Sequence, residues 1–346
     1  MSEALTRNAV DLLPAGGLEE KLKLGRPLRV KLGIDVTAPQ VTIGNGIPLQ
    51  RMRAFQDAGH TGVLIVGDYT TRIGDPSGRS AERPILEPQE IDRNAQRFFD
   101  HASRIIDPAK TEVRFNSEWL KELDFAGVLA LTRTVTVAQL LERDDFAKRM
   151  GAREPISVSE LLYPLMQAYD SVAIEADVEL GGTDQLYNLL AGREVMQAYG
   201  LEPQVVLTVP LLLAWDGEKM SGSRGNYIGL AEAAEEQFGK TMRIPDTQLE
   251  EWYRLVLERD VPAGEPMTAK LTLARTTRVK CSSARTAASS PCERATSALA
   301  RASFAAIGSP PGTSRSSTSR YHSSSWVSGI RIVFPNCSSG ASARPM

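Results

Sequence analysis

The chain has 346 residues, 42% of them hydrophobic, which is ample for a buried core in one or two domains. Its net charge of -2 averages two unequal parts: residues 276–346 hold nine Lys and Arg against one acid, while the 31 basic and 41 acidic residues before them leave the body at -10. An acidic body excludes a general polyanion binder, and because Cys281, Cys292 and Cys337 all fall in the tail, no disulfide framework can hold the rest.

The start, MSEALTRNAVDLLPAGG, lacks the basic head and apolar run of a signal peptide. Residues 1–26 read as a short amphipathic helix and a basic linker. RVKLGI at 29–34 reads as a strand, followed by a loop with Asp35, Thr37 and a Gly44-Asn45-Gly46 turn, then a helix in LQRMRAFQDAG. GVLIVGD at 62–68 is a second strand running into TTRIGDPSGRSAERP. Strand, loop, helix, strand predicts a Rossmann-type parallel sheet with crossover helices, whose ligands bind beyond the carboxyl ends of the strands. Helices follow in PQEIDRNAQRFFDHASRII, SEWLKEL and TVAQLLERDDFAKRM, with strands at TEVRFN, ADVEL and QVVLTVPLLLA. The apolar run at 205–215 is broken by Thr208 and Pro210 and is too short to span a bilayer, so a cytoplasmic protein without a membrane segment is expected. Residues 230–275 are again helical. From 276 to 346 the text holds 18 serines, almost no acids and no helical period. It reads either as a disordered basic tail or, the preferred reading, as a GC-rich gene read out of frame.

The stretch 160–188 carries the chemistry. In a helix, Tyr163, Gln167 and Asp170 recur at i, i+4 and i+7, stacking a phenol, an amide and a carboxylate on one face. Gly181-Gly182-Thr183-Asp184-Gln185 then follows a strand, and its glycines would let backbone approach a ligand closely while Asp184 and Gln185 point into it. Alternatively Thr183 or Asp184 merely caps the next helix. In GDPSGRSAER, Arg79 and Arg83 suit a triphosphate, although Asp75-Pro76 could equally open a plain type I turn. The loop EKMSGSRGNY offers Lys219, Ser221, Ser223 and Arg224, and a solvated basic loop is an equal reading. No phosphate-cradling P-loop, Gly-x-Gly-x-x-Gly fingerprint, nucleophilic triad or metal-ligand spacing can be assembled, and His60 reads as a loop residue after a helix.

Taken in order, DVTAPQVTIGNG, GDPSGRSAERP, YPLMQAYDS, VELGGTDQLYN and EKMSGSRGNYIGL resemble the catalytic domain of bacterial tyrosyl-tRNA synthetases, class I enzymes, over roughly residues 1–275. The resemblance implies a homodimer and a tyrosine–tRNA ligase that makes tyrosyl adenylate from L-tyrosine and ATP and transfers it to tRNA(Tyr), with Mg2+ carried by the nucleotide and no protein-bound cofactor or metal. Residues 1–228 would form the Rossmann-type catalytic domain with its helical insertion, and 229–275 the start of a helical anticodon-binding region. Asp170 would accept the phenol proton, while Asp75, Tyr163, Gln167 and Gln185 would surround the ammonium. Asp35, Thr37, Gly44, Gly182, Asp184, Lys219, Ser221 and Ser223 would hold ATP, with Asp184 on the ribose. Thr37, Thr42, Asn45, Arg79, Arg83 and Lys219 would serve the chemistry. Asp170 and Tyr163 argue against tryptophan, whose indole has one donor and no phenol.

Three departures from the family pattern follow. The nucleotide signature His-x-Gly-His or His-x-Gly-Asn reads Thr42-Ile43-Gly44-Asn45, and the second lysine of Lys-Met-Ser-Lys-Ser is Gly222. Nothing after about Arg275 resembles the family's RNA-binding continuation. Losing a donor that acts mainly in the transition state costs about 3 kcal/mol, so reduced activity is expected, and a catalytically impaired tyrosine- or adenylate-binding paralogue is the alternative.

Overall fold

The strand segments TGVLIV at 61–66 and VVLTV at 205–209 are near-continuous apolar runs, as expected where both faces of a parallel sheet are covered. The computed structural model describes residues 2–36, 40–73, 87–261 and Leu273. In chain order the elements are α1 (Ser2–Thr6), β1 (Leu12–Leu13), α2 (Gly17–Leu22), β2 (Arg29–Ile34), α3 (Ile43–Asp57), β3 (Thr61–Val66), α4 (Pro88–Ala102), β4 (Thr111–Phe115), α5 (Ser117–Leu120) and α6 (Phe125–Thr132). They continue with α7 (Val137–Leu141), α8 (Asp144–Gly151), α9 (Val158–Ile174), β5 (Val178–Gly182), α10 (Leu186–Ala198), β6 (Val205–Val209), α11 (Ala234–Thr241) and α12 (Leu249–Trp252). Thr37, Asp75, Arg79 and Arg83, and the expected tail at 276–346, lie outside the described residues.

The sheet order is β1-β6-β5-β2-β3-β4. Every neighbouring pair is parallel except β1 on β6, so the expected parallel sheet gains an antiparallel edge from the N-terminal segment that reads as linker. From β2 the chain winds outward through β3 and β4, then returns to lay β5 on the other side of β2. A ligand cleft is expected where the order reverses, beyond the carboxyl ends of β2 and β5. The register there aligns Lys31 with Glu179 and Leu32 with Leu180.

Local chemistry sets two of the helix starts that matter. The Gly44-Asn45-Gly46 segment, expected as a turn, is the first turn of α3, because Thr42 and Asn45 form a capping box there. Thr42 Oγ1 accepts from the Asn45 backbone N–H at 3.2 Å, and Asn45 Oδ1 accepts from the Thr42 backbone N–H at 2.9 Å. A second capping box, Ser157 with Glu160, opens α9. Conversely, neither Thr183 nor Asp184 caps α10. Residues Thr183–Gln185 form a single 3-10 turn, and Gln185 at the N-cap position makes no side-chain capping bond. The strand expected at 204–214 stops at Val209, since Pro210 has no N–H to continue the ladder.

One large core joins the strands to α3 and α4, and it also takes in Ile244, Leu249, Trp252 and Leu255 from the helical segment after residue 230. The Trp252 indole donates to the Leu213 carbonyl at 3.2 Å, fastening that segment to the end of the sheet. A smaller cluster of Leu131, Leu165, Ala168 and Val195 packs α9 against α6 and α10, which leaves the opposite face of α9 turned to the cleft. Among the described residues no helix is long and apolar enough to cross a membrane.

Candidate active site

A cavity of about 540 Å³ opens beyond β2 and β5. Of the expected site residues, Asp35, Thr42, Gly44, Asn45, Tyr163, Gln167, Asp170, Gly182, Asp184, Gln185, Lys219 and Ser221 all line it. Ser223 has no described side chain. The residues converge because α9 lies across the sheet with its i, i+4, i+7 stripe facing the gap above the strand ends.

Asp170 is the floor of one end. Its residue is 3% exposed; Oδ1 accepts from the Trp119 indole at 2.8 Å, and Oδ2 faces the Asn116 amide at 3.5 Å. Burial pushes the carboxyl up to about 7, opposed by the positive field of Lys31 and by those two donors. One turn back, the Gln167 amide donates to Glu179 Oε1 at 3.4 Å. Another turn back, the Tyr163 hydroxyl donates to Asp35 Oδ2 at 2.8 Å, and Thr70 donates to Asp35 Oδ1 at 3.0 Å. Asp35, expected only among the nucleotide contacts, therefore ties the carboxyl end of β2 to the α9 stripe.

Beneath the stripe lies a buried ion pair. Lys31 and Glu179, 0% and 1% exposed in their side chains, meet at 2.8 Å across β2 and β5. The lysine also donates to the Gln167 carbonyl at 2.8 Å and to Ser171 Oγ at 2.7 Å. All three of its protons are thus used, as a buried ammonium requires. Sequence reasoning missed Lys31, Glu179, Asn116 and Trp119. The signal was a second, interior charge in each of two otherwise apolar stretches, Lys31 in RVKLGI and Glu179 in ADVEL, at matching register.

The other end is more open. Gly182 borders it closely: an added Cβ would lie 2.6 Å from Asp184 Oδ1 and 2.7 Å from Leu211 Cδ2, so both side chains would have to shift. Asp184 forms an ion pair with Lys219, whose side chain is about half exposed. The loop carrying Lys219 is held by its own residues: Asn226 accepts from the Ser221 N–H at 3.0 Å and donates to Asp216 at 3.0 Å. Arg224 pairs with Glu218 at 3.0 Å and is not among the residues that line the cavity. The Thr42 hydroxyl proton is given to Asn45 Oδ1 at 2.9 Å, which spends its donor inside the helix cap. His60 is indeed structural, accepting the Leu28 N–H at 3.2 Å. Among the described residues no group of three or more His, Cys, Asp or Glu side chains is placed to hold a metal ion.

The cavity thus joins a buried, carboxylate-floored slot to a glycine-bordered mouth with a lysine. The family described as tRNA synthetases class I (W and Y) matches residues 23–297. A tyrosine–tRNA ligase of Ralstonia nicotianae is 50% identical over 281 residues, 80% of this chain and 72% of that protein. One from Thermotoga maritima is 52% identical over 259 residues, 75% of this chain and 64% of that protein. Among solved structures, a tyrosyl-tRNA synthetase from Archaeoglobus fulgidus complexed with L-tyrosine superimposes with a TM-score of 0.69 at 21% identity, covering 82% of this chain and 97% of that one, a likeness of fold. The chain belongs to the class I tRNA synthetases of the W and Y family, among the bacterial tyrosine–tRNA ligases.

Proposed function

We propose that the protein activates L-tyrosine with ATP to tyrosyl adenylate and transfers the tyrosyl group to tRNA(Tyr). The observation that carries this reading is the buried Asp170 carboxylate at the closed end of the cavity. A phenol entering there donates its O–H to Asp170, while the ammonium at the far end of the tyrosine meets the oxygens of Tyr163, Gln167 and Gln185, with Asp75 completing that set. Phenylalanine would bury the same carboxylate without the donor that the phenol supplies. A site of this kind discriminates by about 10⁵, a magnitude measured on tyrosine-activating enzymes of this same family and independent of the geometry above.

The tyrosine carboxylate then attacks the α-phosphate in line and pyrophosphate leaves. No side chain forms a covalent bond, so the rate rests on alignment and on charge stabilisation. ATP enters with its Mg2+ past Gly44 and Gly182. Asp184 exchanges Lys219 for the ribose hydroxyls, and Lys219, with Ser221, Ser223, Arg79 and Arg83, turns to the phosphates; Thr37, Thr42 and Asn45 border them. Residues 229–275 begin the region that meets the tRNA anticodon arm, and the protein works in the cytoplasm.

Pyrophosphate exchange into ATP tests the reading. Exchange should depend on tyrosine, and Asp170→Asn should lower kcat/KM for tyrosine by about a hundredfold or more while changing that for phenylalanine little. Equal losses for both amino acids would refute the pocket assignment. We further propose a homodimer through the helical insertion, supported by Phe125, Val137 and Val158 on α6, α7 and α9, which are 77%, 60% and 74% exposed. Phe125→Asp should then sediment as a monomer.

A further inference from the structure

Two residues outside the cavity dictate which way its amides point. Asn188, in the first turn of α10, is 1% exposed, and its NH2 group donates both protons into the pocket wall: to Gln167 Oε1 at 3.1 Å and to Gln185 Oε1 at 3.0 Å. Its own Oδ1 accepts from Arg143 Nη1 at 3.0 Å. Arg143 stands between α7 and α8, is 6% exposed, is held by Asp145 at 2.7 Å and lies over the Phe146 ring at 5.3 Å. Neither Arg143 nor Asn188 lines the cavity.

A guanidinium can only donate and a carboxylate can only accept, so the direction of every bond between them is set. Arg143 obliges Asn188 to present oxygen to it and NH2 to the two glutamines. Gln167 is fixed from its other side as well, because its NH2 meets the acceptor Glu179, which is itself fixed by Lys31. The chain of polarity runs Arg143 to Asn188 to Gln167 to Glu179, with Gln185 as a branch. A carbonyl oxygen can accept two hydrogen bonds, and the Gln167 oxygen takes one from Asn188, so it can also accept from an ammonium group.

We propose that Arg143 and Asn188 are positioning residues for tyrosine: they hold the carbonyl oxygens of Gln167 and Gln185 ready for the substrate ammonium. This rests on the tyrosine reading above and deepens it. The α7–α8 segment thereby reaches the substrate site, reinforced by the Tyr187 hydroxyl on the Gln139 carbonyl at 2.8 Å. The ammonium carries the same charge before and during adenylate formation, so losing this orientation removes uniform binding: KM rises and kcat stays.

Asn188→Asp tests this with little change of volume. The new carboxylate accepts where an amide donated, so Gln167 must turn its NH2 toward it and its oxygen toward Glu179, two acceptors face to face. Tyrosine KM in pyrophosphate exchange, and tyrosine Kd by calorimetry, should rise about tenfold to hundredfold, the effect of a lost hydrogen bond to a charged group. Over the same variants kcat and the KM for ATP should stay within about twofold. Arg143→Met should raise tyrosine KM in the same direction, and Arg143→Lys, another pure donor, should restore it. Unchanged tyrosine Kd in both Asn188→Asp and Arg143→Met would overturn the inference, as would parallel losses in kcat and ATP binding. Should Asn188→Asp fail to fold, the Arg143 pair carries the same readouts. An unaltered chain that binds no tyrosine would overturn the functional reading itself.

Discussion

The two ends of the cavity are built on opposite principles. At the Asp170 end the polar groups are partnered by other buried groups on regular elements, from the Lys31–Glu179 pair across β2 and β5 to the Trp119 indole on α5. At the Lys219 end the partners are exposed or belong to the same loop: Lys219 with Asp184, Arg224 with Glu218, Asn226 with Asp216. Buried ion pairs are costly to break, whereas exposed ones are worth little and exchange readily. Under the proposed function the difference matches two tasks, since a small amino acid is recognised by fixed geometry and a nucleotide must enter, be clasped and leave.

The largest expected effect lies at the fixed end. Lys31→Met strands Glu179 as an unpaired buried carboxylate and should lower unfolding stability by about 3–5 kcal/mol in urea titrations. A loss no larger than that of an exposed pair would break the contrast. At the open end, the double variant Thr42→His, Gly222→Lys should raise kcat for pyrophosphate exchange by up to about a hundredfold, the worth of a transition-state donor. Thr42→His alone should also cost about 1 kcal/mol of stability, because the threonine caps α3. A silent double variant would mean that the open end lacks more than two donors.

The fixed end also carries a pH dependence through Asp170. With its carboxyl at about 7 and tyrosine recognised by the ionised form, kcat/KM for tyrosine should fall about tenfold per unit as pH drops below about 7. Stability moves the other way. The folded protein holds this proton where the unfolded chain has released it, so the contribution of Asp170 to stability declines as pH rises from the ordinary carboxylate range to about 7, and is flat above. Asp170→Asn should abolish both trends, which melting and exchange profiles over pH 5–9, an interval of about four units spanning the titration, would reveal.

Much of this was legible in the sequence because the periodicities were clean. The i, i+4, i+7 stripe of Tyr163, Gln167 and Asp170, and the glycine pair at 181–182, were readable as a ligand wall, and the structure brings them into one cavity. What could not be read was pairing between distant segments. Lys31 and Glu179 are 148 positions apart, and only the adjacency of β2 and β5 makes them one feature. Residues 44–46 misled because glycines flanking an asparagine signal a turn, while the same asparagine closes a capping box with Thr42 that starts α3.

The two-residue strand β1 has a consequence for how the chain is made. With Val10 and Asp11 bonded to Thr208, it hems the outer margin of β6, whose five residues Val-Val-Leu-Thr-Val are the kind that recruit strands from other molecules. The hem leaves the ribosome well before its partner, which emerges some 195 residues later. Closure across so long a loop is slow, so a nascent chain carries this sticky border bare until the distant hem is stitched back onto it.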